Sequence, residues 1–135
     1  MHINSILLVD DDQNIRAISE KTLEPEFDVY LAGSGTDCIV AAEAEQPDLI
    51  LFDVKTPIVN GLTTLIMLRQ NPRTVAIPVI LMTANLRTWA QWHADELIHR
   101  RFQKLDIIGF TERSFDRITL PAQIRRLARD HDHNA

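Results

Sequence analysis

Carboxylates and one hydroxyl lie at the ends of short apolar runs in this 135-residue chain. Asp10 and Asp11 follow the first run, Asp53 ends the third, and Thr83 ends the fourth. Short apolar runs bounded by polar residues predict strands that are buried on both faces. Because ligands bind at the carboxyl edge of open α/β sheets, we expect these four side chains to meet at that edge.

Converging carboxylates repel one another, and each raises the pKa of its neighbours. A hard divalent cation relieves this repulsion, and oxygen ligands with room for water suit Mg²⁺. Asp53, beside the metal with one oxygen free, would attack phosphorus and form an aspartyl phosphate. The metal would neutralise charge on the transferring group, and the Thr83 hydroxyl would donate to a phosphoryl oxygen. Asp12 is predicted to cap the following helix rather than to bind metal.

The apolar runs alternate with segments of helical period. This alternation predicts an α/β fold with a parallel sheet, helices on both faces and right-handed crossovers. The predicted strands are 6–9, 29–32, 49–52, 79–82 and 107–110. The predicted helices follow Asp12 and cover 36–44, 62–69, 85–104 and 119–129, the last with Thr119 as its N-cap.

The composition, with 45% apolar and 24% charged residues, is that of one ordinary globular domain. We expect the domain to span residues 1–130, followed by a polar tail over 131–135. The net charge of -5 argues against nucleic acid as a main partner, because phosphate backbones require a basic footprint. The start of the chain lacks a signal-peptide pattern, and no apolar run is long enough to cross a membrane. We therefore expect a soluble, cytoplasmic protein with no membrane partner.

Three segments resemble the receiver domains of response regulators in two-component signalling. The family's first strand and acidic pair, here Asp10 and Asp11, are similar to the segment ILLVDDDQNIR. The phosphoacceptor strand and its loop are similar to DLILFDVKTPIVNGL, and the fourth strand with its switch hydroxyl is similar to IPVILMTAN. The resemblance implies that Asp53 is the phosphoacceptor and that Thr83 is the switch hydroxyl. It also implies that Lys55 gives a main-chain carbonyl to the metal.

The resemblance also implies a flavodoxin-like, doubly wound sheet of five parallel strands in the order 2-1-3-4-5. It implies Mg²⁺ as cofactor and a histidine kinase or phosphotransfer protein as phosphodonor. The signal would pass by protein contacts to a downstream target, and a homodimer is among the expected assemblies. The chain is not expected to be an enzyme beyond Mg-dependent self-phosphorylation and slow autodephosphorylation.

The chain departs from the family at the end of the fifth strand. Relatives carry a lysine and then a proline there, whereas this chain has Arg113 and Ser114. Arg113 keeps the positive charge in a planar fork. It either pairs with the phosphoryl group or points away and leaves Lys55 as the nearest ammonium. The family's aromatic switch position falls on Phe110, which either changes rotamer or packs in the core.

A second departure is an insertion of roughly eight residues between Thr83 and Arg113, equivalent to two helical turns or about 12 Å. It would lengthen the fourth helix or build a new element before it. Trp89 and Trp92 are three apart and share a helix face. They form either a docking surface for a protein target or a contact that packs the insertion onto the body. The departures leave a second function open, a pseudo-receiver that acts as a phosphorylation-independent interaction module.

Overall fold

The computed structural model describes residues 1–55 and 61–133, with the side chains of Leu86, Trp89 and His133 outside the description. Its strands are β1 (Ser5–Val9), β2 (Asp28–Ala32), β3 (Leu49–Asp53), β4 (Val79–Thr83) and β5 (Ile107–Glu112). Its helices are α1 (Gln13–Leu23), α2 (Gly35–Glu45), α3 (Leu62–Gln70), α4 (Leu86–Ala94), α5 (Glu96–Lys104) and α6 (Thr119–His133). The strands are parallel in the order β2-β1-β3-β4-β5, which confirms the predicted flavodoxin-like fold.

The central strands are apolar on both faces because helices cover both sides of the sheet. Every residue of β3 and β4 is buried. Alternate residues of a strand point to opposite faces, so Leu7 packs in the cluster under α2 to α5, and Leu8 packs in the cluster under α1 and α6. This double burial explains why short apolar runs were sufficient to predict the strands.

The segment between β4 and β5 is extended, as predicted, but the extra residues form a separate helix after α4. Asp95 separates α4 from α5 with extended backbone angles (φ -98°, ψ 101°). Its side chain accepts hydrogen bonds from the amides of Leu97 and Ile98 at 3.0 and 3.2 Å. Asp95 is therefore the N-cap of α5. The insertion neither lengthens α4 nor precedes it.

Trp92 anchors the inserted region to the sheet. Its side chain is 6% exposed, and its ring stacks on Phe110 with the centroids 5.0 Å apart. Phe102 of α5 lies against the same indole at 5.4 Å. Of the two interpretations of the tryptophan pair, burial supports packing onto the body for Trp92, so a docking surface cannot use this side chain in this conformation. Phe110 is likewise part of the core.

The last helix begins and ends differently from the prediction. Thr119 is its first residue, and the side chain of Asp116 accepts hydrogen bonds from the amides of Ile118 and Thr119 at 2.7 and 2.8 Å. The prediction that Thr119 is the N-cap is therefore wrong. The helix continues to His133, so residues 131–133 of the predicted tail are helical; the domain limits of 1–130 stay a prediction. None of the helices in the described ranges is long and apolar enough to span a membrane.

Arg69 ties together the chain segments that lead into β4 and β5. Its guanidinium donates to the carbonyl oxygens of Val75, Ile77 and Leu105 at 3.0, 2.8 and 2.6 Å. A guanidinium presents several donors in one rigid plane, so three carbonyls on two separate loops are held in a fixed relation. Arg69 therefore links the two chain segments at the amino ends of β4 and β5.

We expect Asp95→Ala to lower the free energy of unfolding by about 1 kcal/mol, because two amides at the start of α5 lose their acceptor. Asp95→Asn is the matched control, since asparagine caps helices as well as aspartate and should keep most of the stability. Urea denaturation followed by circular dichroism measures both variants. Equal midpoints for wild type and Asp95→Ala would contradict the assigned cap.

Candidate functional site

The carboxyl ends of four neighbouring strands bring the predicted site residues together. Asp10 follows β1, Asp53 ends β3, Thr83 ends β4, and Arg113 follows β5. The main-chain amide of Arg113 donates to the carbonyl of Thr83 at 2.6 Å, which extends the contact between the two strands by one residue. The sheet therefore places Asp10, Asp53 and Thr83 at one edge, where the sequence predicted them, together with Arg113, whose orientation the sequence left open.

Arg113 points into the site and pairs with two buried carboxylates. Its Nη1 atom lies 3.0 Å from Asp53 Oδ2 and 3.6 Å from Asp10 Oδ2. The side chains of Asp53 and Asp10 are 1% and 0% exposed, and that of Arg113 is 16% exposed. The sequence left two orientations open for Arg113, and the structure adopts the inward one. A buried pair of this kind is far less screened than a surface ion pair.

The carboxyl group of Asp53 is hard to ionise in this setting. Burial raises the pKa of Asp53 to about 8, with the neighbouring Asp10 as the next cause, while Arg113 and Lys55 lower it in part. Among the described residues, Asp10 Oδ2 and Asp53 Oδ1 are buried without a hydrogen-bond partner. One guanidinium thus faces two buried acids, and two of their oxygens have no hydrogen bond within the described part of the chain. Further positive charge beside these oxygens would favour the ionised form of both acids.

Mg²⁺ fits the donor atoms that this site presents. The ion takes one or two carboxylates and keeps several water ligands, and the open oxygens of Asp10 and Asp53 are of that kind. Within residues 1–55 and 61–133, no three His, Cys, Asp or Glu side chains converge closely enough to hold a metal. Asp11, the third predicted metal-binding carboxylate, pairs instead with the ammonium of Lys55, 2.5 Å from Asp11 Oδ1. The role of the Lys55 carbonyl as a metal ligand stays a prediction.

Asp53 lies between two open pockets of similar size. The first, of about 380 Å³, is lined by Asp53 together with Thr83 and Arg113. The second, of about 350 Å³, is lined by Asp53 together with Asp10 and Asp11. A hydroxyl and a guanidinium suit the oxygens of a phosphoryl group, and carboxylates suit a cation. Asp53 thus borders one pocket whose polar groups suit an anion and another whose carboxylates suit a cation.

Two residues that hold the site in place were missed in the sequence. Asn85 donates its amide to Thr83 Oγ1 at 3.0 Å, and its side chain accepts from the amides of Arg87 and Thr88 at the start of α4. Arg16 of α1 donates to the Asp10 carbonyl at 2.8 Å. An asparagine before a helical segment is an N-cap signal that could have identified Asn85. No sequence signal marks Arg16, whose role depends on how α1 packs against β1.

Comparison with known proteins relates this arrangement to one family. The family model of the response regulator receiver domain matches residues 6–109. The response regulator PleD of Caulobacter vibrioides is 38% identical over 80 residues, which are 58% of this chain and 18% of PleD. The transcriptional regulatory protein CpxR of Escherichia coli K12 is 41% identical over 83 residues, 61% of this chain and 34% of CpxR. The chain therefore spans only a minor part of the length of these relatives.

A solved structure extends the likeness over nearly the whole fold. The crystal structure of a response regulator from Desulfuromonas acetoxidans matches with a TM-score of 0.69 and 26% sequence identity. The match covers 93% of this chain and 97% of that chain.

We expect Asp53→Asn to stabilise the metal-free protein, and to do so more strongly as the pH rises. The pKa of Asp53 is raised from 3.8 to about 8 in the folded state. The folded protein therefore binds one more proton than the unfolded chain between these values. Stability then falls with rising pH by at most about 1.4 kcal/mol per pH unit. Asparagine cannot ionise, so the contribution of Asp53 to this slope should disappear.

Urea denaturation at several pH values in the presence of a chelator measures the slope. Asp130→Asn on the exposed face of α6 is the control, and it should keep the slope of the wild type. An unchanged slope in Asp53→Asn would show that the Asp53 carboxyl is ionised like an ordinary surface acid.

Proposed function

Because the chain belongs to the response regulator receiver family, we propose that Asp53 accepts a phosphoryl group in a two-component phosphorelay and signals through protein contacts. One observation carries the proposal. The Asp53 carboxylate is buried between Arg113, which holds Oδ2, and Asp10, while Oδ1 has no partner among the described residues. The donor would be a phosphohistidine of a histidine kinase or a phosphotransfer protein.

The transfer needs an ionised Asp53 and groups that receive the charge of the phosphoryl oxygens. An electron pair of the Asp53 carboxylate forms the new O–P bond while the P–N bond of the donor breaks, and the imidazole leaves with its electrons. Mg²⁺, when bound, neutralises charge on the transferring group. Arg113 pairs with phosphoryl oxygens through its planar fork, and the Thr83 hydroxyl donates to one of them.

The path from the acceptor to the surface would begin at Thr83. Its hydroxyl accepts the amide of Asn85, and Asn85 caps α4. A Thr83 hydroxyl that turns toward a phosphoryl group releases this amide, so the first turn of α4 must adjust. Trp92 on the same helix stacks on Phe110 of β5. The local event at the acceptor would thereby bias the face built by α4, α5 and β5.

A pseudo-receiver that acts independently of phosphorylation is the alternative, and one observation favours it. Arg113 already holds Asp53, and Lys55 already holds Asp11, so part of the acidic charge is compensated without metal or phosphate. The open oxygens argue against this alternative, because a buried unpaired acceptor costs about 1–3 kcal/mol. Partner binding that is equal for wild type and Asp53→Asn, with and without beryllofluoride, would favour the pseudo-receiver.

We expect Asp53→Ala to abolish labelling by a small phosphodonor such as acetyl phosphate in the presence of Mg²⁺, because the attacking oxygens are removed. The wild type should gain the mass of one phosphoryl group, located at Asp53 by peptide mass spectrometry. Asp130→Ala, which removes an exposed carboxylate of α6, should be labelled like the wild type. Undiminished labelling of Asp53→Ala would overturn the assignment of the acceptor.

We expect the fluorescence of Trp92 to change when beryllofluoride and Mg²⁺ bind, because the indole is packed between α4, α5 and β5. The chain has two tryptophans, so the measurement uses Trp89→Phe as its background. Adding Thr83→Ala should greatly reduce the response, since the connection from the acceptor to Asn85 is lost. An equal response with and without the Thr83 hydroxyl would rule out this path.

A further inference from the structure

The side chain of Lys55 engages a carboxylate that the metal would need. Its Nζ atom lies 2.5 Å from Asp11 Oδ1, and the two side chains are 51% and 69% exposed. Lys55 also lines both pockets beside Asp53. From the sequence, Lys55 was expected to give a main-chain carbonyl to the metal, and to be the nearest ammonium only if Arg113 pointed away. The pairing of its ammonium with Asp11 was not predicted.

The three carboxylates of the edge are compensated by two different cations. Arg113 pairs with the buried acids Asp53 and Asp10. Asp53 Oδ1 and Asp10 Oδ2 have no hydrogen bond to the described residues, although Asp10 Oδ2 lies 3.6 Å from the Arg113 guanidinium. Lys55 forms an ion pair with the exposed Asp11. A dication that draws a ligand from Asp11 must therefore compete with the Lys55 ammonium for the same carboxylate, whereas Asp53 Oδ1 and Asp10 Oδ2 have no hydrogen bond to any described residue to give up.

We propose that Lys55 is an intramolecular competitor of the metal, which holds Asp11 until Mg²⁺ displaces the ammonium. This inference rests on the proposed function, because it concerns the metal that phosphoryl transfer would use. The exchange replaces one positive charge on Asp11 by another, so Asp11 is not left uncompensated while Arg113 stays paired with Asp53 and Asp10. Lys55 thereby sets the magnesium concentration at which the acceptor site becomes competent.

The side chain is suited to such an exchange. Its four-carbon stem is flexible, its ammonium is strongly hydrated in water, and half of the side chain is already exposed. It borders the pocket that contains Thr83 and Arg113 as well as the one that contains Asp11. The displaced ammonium can therefore stay at the edge without unfolding any element.

We expect Lys55 to change the affinity for Mg²⁺ only modestly, because its ion pair with Asp11 is exposed to solvent. Exposed ion pairs contribute little, and the remaining repulsion between ammonium and dication is screened by water. We expect Lys55→Met, which keeps the apolar stem and removes the charge, to bind Mg²⁺ about three- to tenfold more tightly than the wild type. Lys55→Arg, which keeps the charge, should stay within about twofold of the wild type.

Isothermal titration calorimetry of Mg²⁺ into the full, metal-stripped chain at pH 7 and low ionic strength measures these affinities. Lys21→Met is the matched control, because it makes the same change in net charge at an exposed lysine of α1. It should bind Mg²⁺ like the wild type. Binding that appears only in Lys55→Met would support the proposal in its strongest form.

Each other outcome has a defined meaning. Equal affinities of wild type and Lys55→Met would overturn the competition and leave the proposed phosphoryl transfer standing. An equal gain in Lys21→Met would assign the effect to net charge, and an equal gain in Lys55→Arg would assign it to side-chain shape; either result overturns the proposal. No binding by any variant would remove the magnesium site itself, and with it both this inference and the proposed metal-dependent transfer.

Discussion

Two carboxylates excluded from water beside a single guanidinium are the constraint on which the site depends. Asp10 and Asp53 come from neighbouring strands, and Arg113 reaches them from the end of β5. Strand register fixes their heights, since Asp53 is level with Met82 of β4 and Thr83 is level with Glu112 of β5. A register slip of one residue would turn Asp53 away from its partners. The apolar packing on both faces of the sheet therefore fixes the strand register, and the register fixes the relative positions of Asp10, Asp53 and Arg113.

The sequence was informative wherever burial on both faces left a simple pattern. Each strand of the site is an apolar run that stops at a polar residue, so Asp53 and Thr83 could be assigned to strand ends before their surroundings were known. Asp12 could be identified as a cap because its side chain needs only the next three residues to act. Local rules are sufficient when the partners of a side chain are local.

Non-local partners explain what the sequence left open or predicted wrongly. The orientation of Arg113 depends on a contact with Asp53, sixty residues earlier. Aspartate and threonine are both residue types that cap helices, and the path of the loop after β5 decides that Asp116 and not Thr119 caps α6. Helical period continues across Asp95, so it does not reveal the break between α4 and α5. Trp92 could only be recognised as core once Phe110 was placed beneath it.

The bonds of Arg69 give the two edges of the sheet different mechanical roles. By joining carbonyls of the segments before β4 and β5, the guanidinium fixes the spacing of these segments at the amino edge. The opposite edge, with its two pockets, is the free end of the same strands. A displacement beside Asp53 would therefore meet resistance at the amino ends of β4 and β5, where these bonds hold the two segments together.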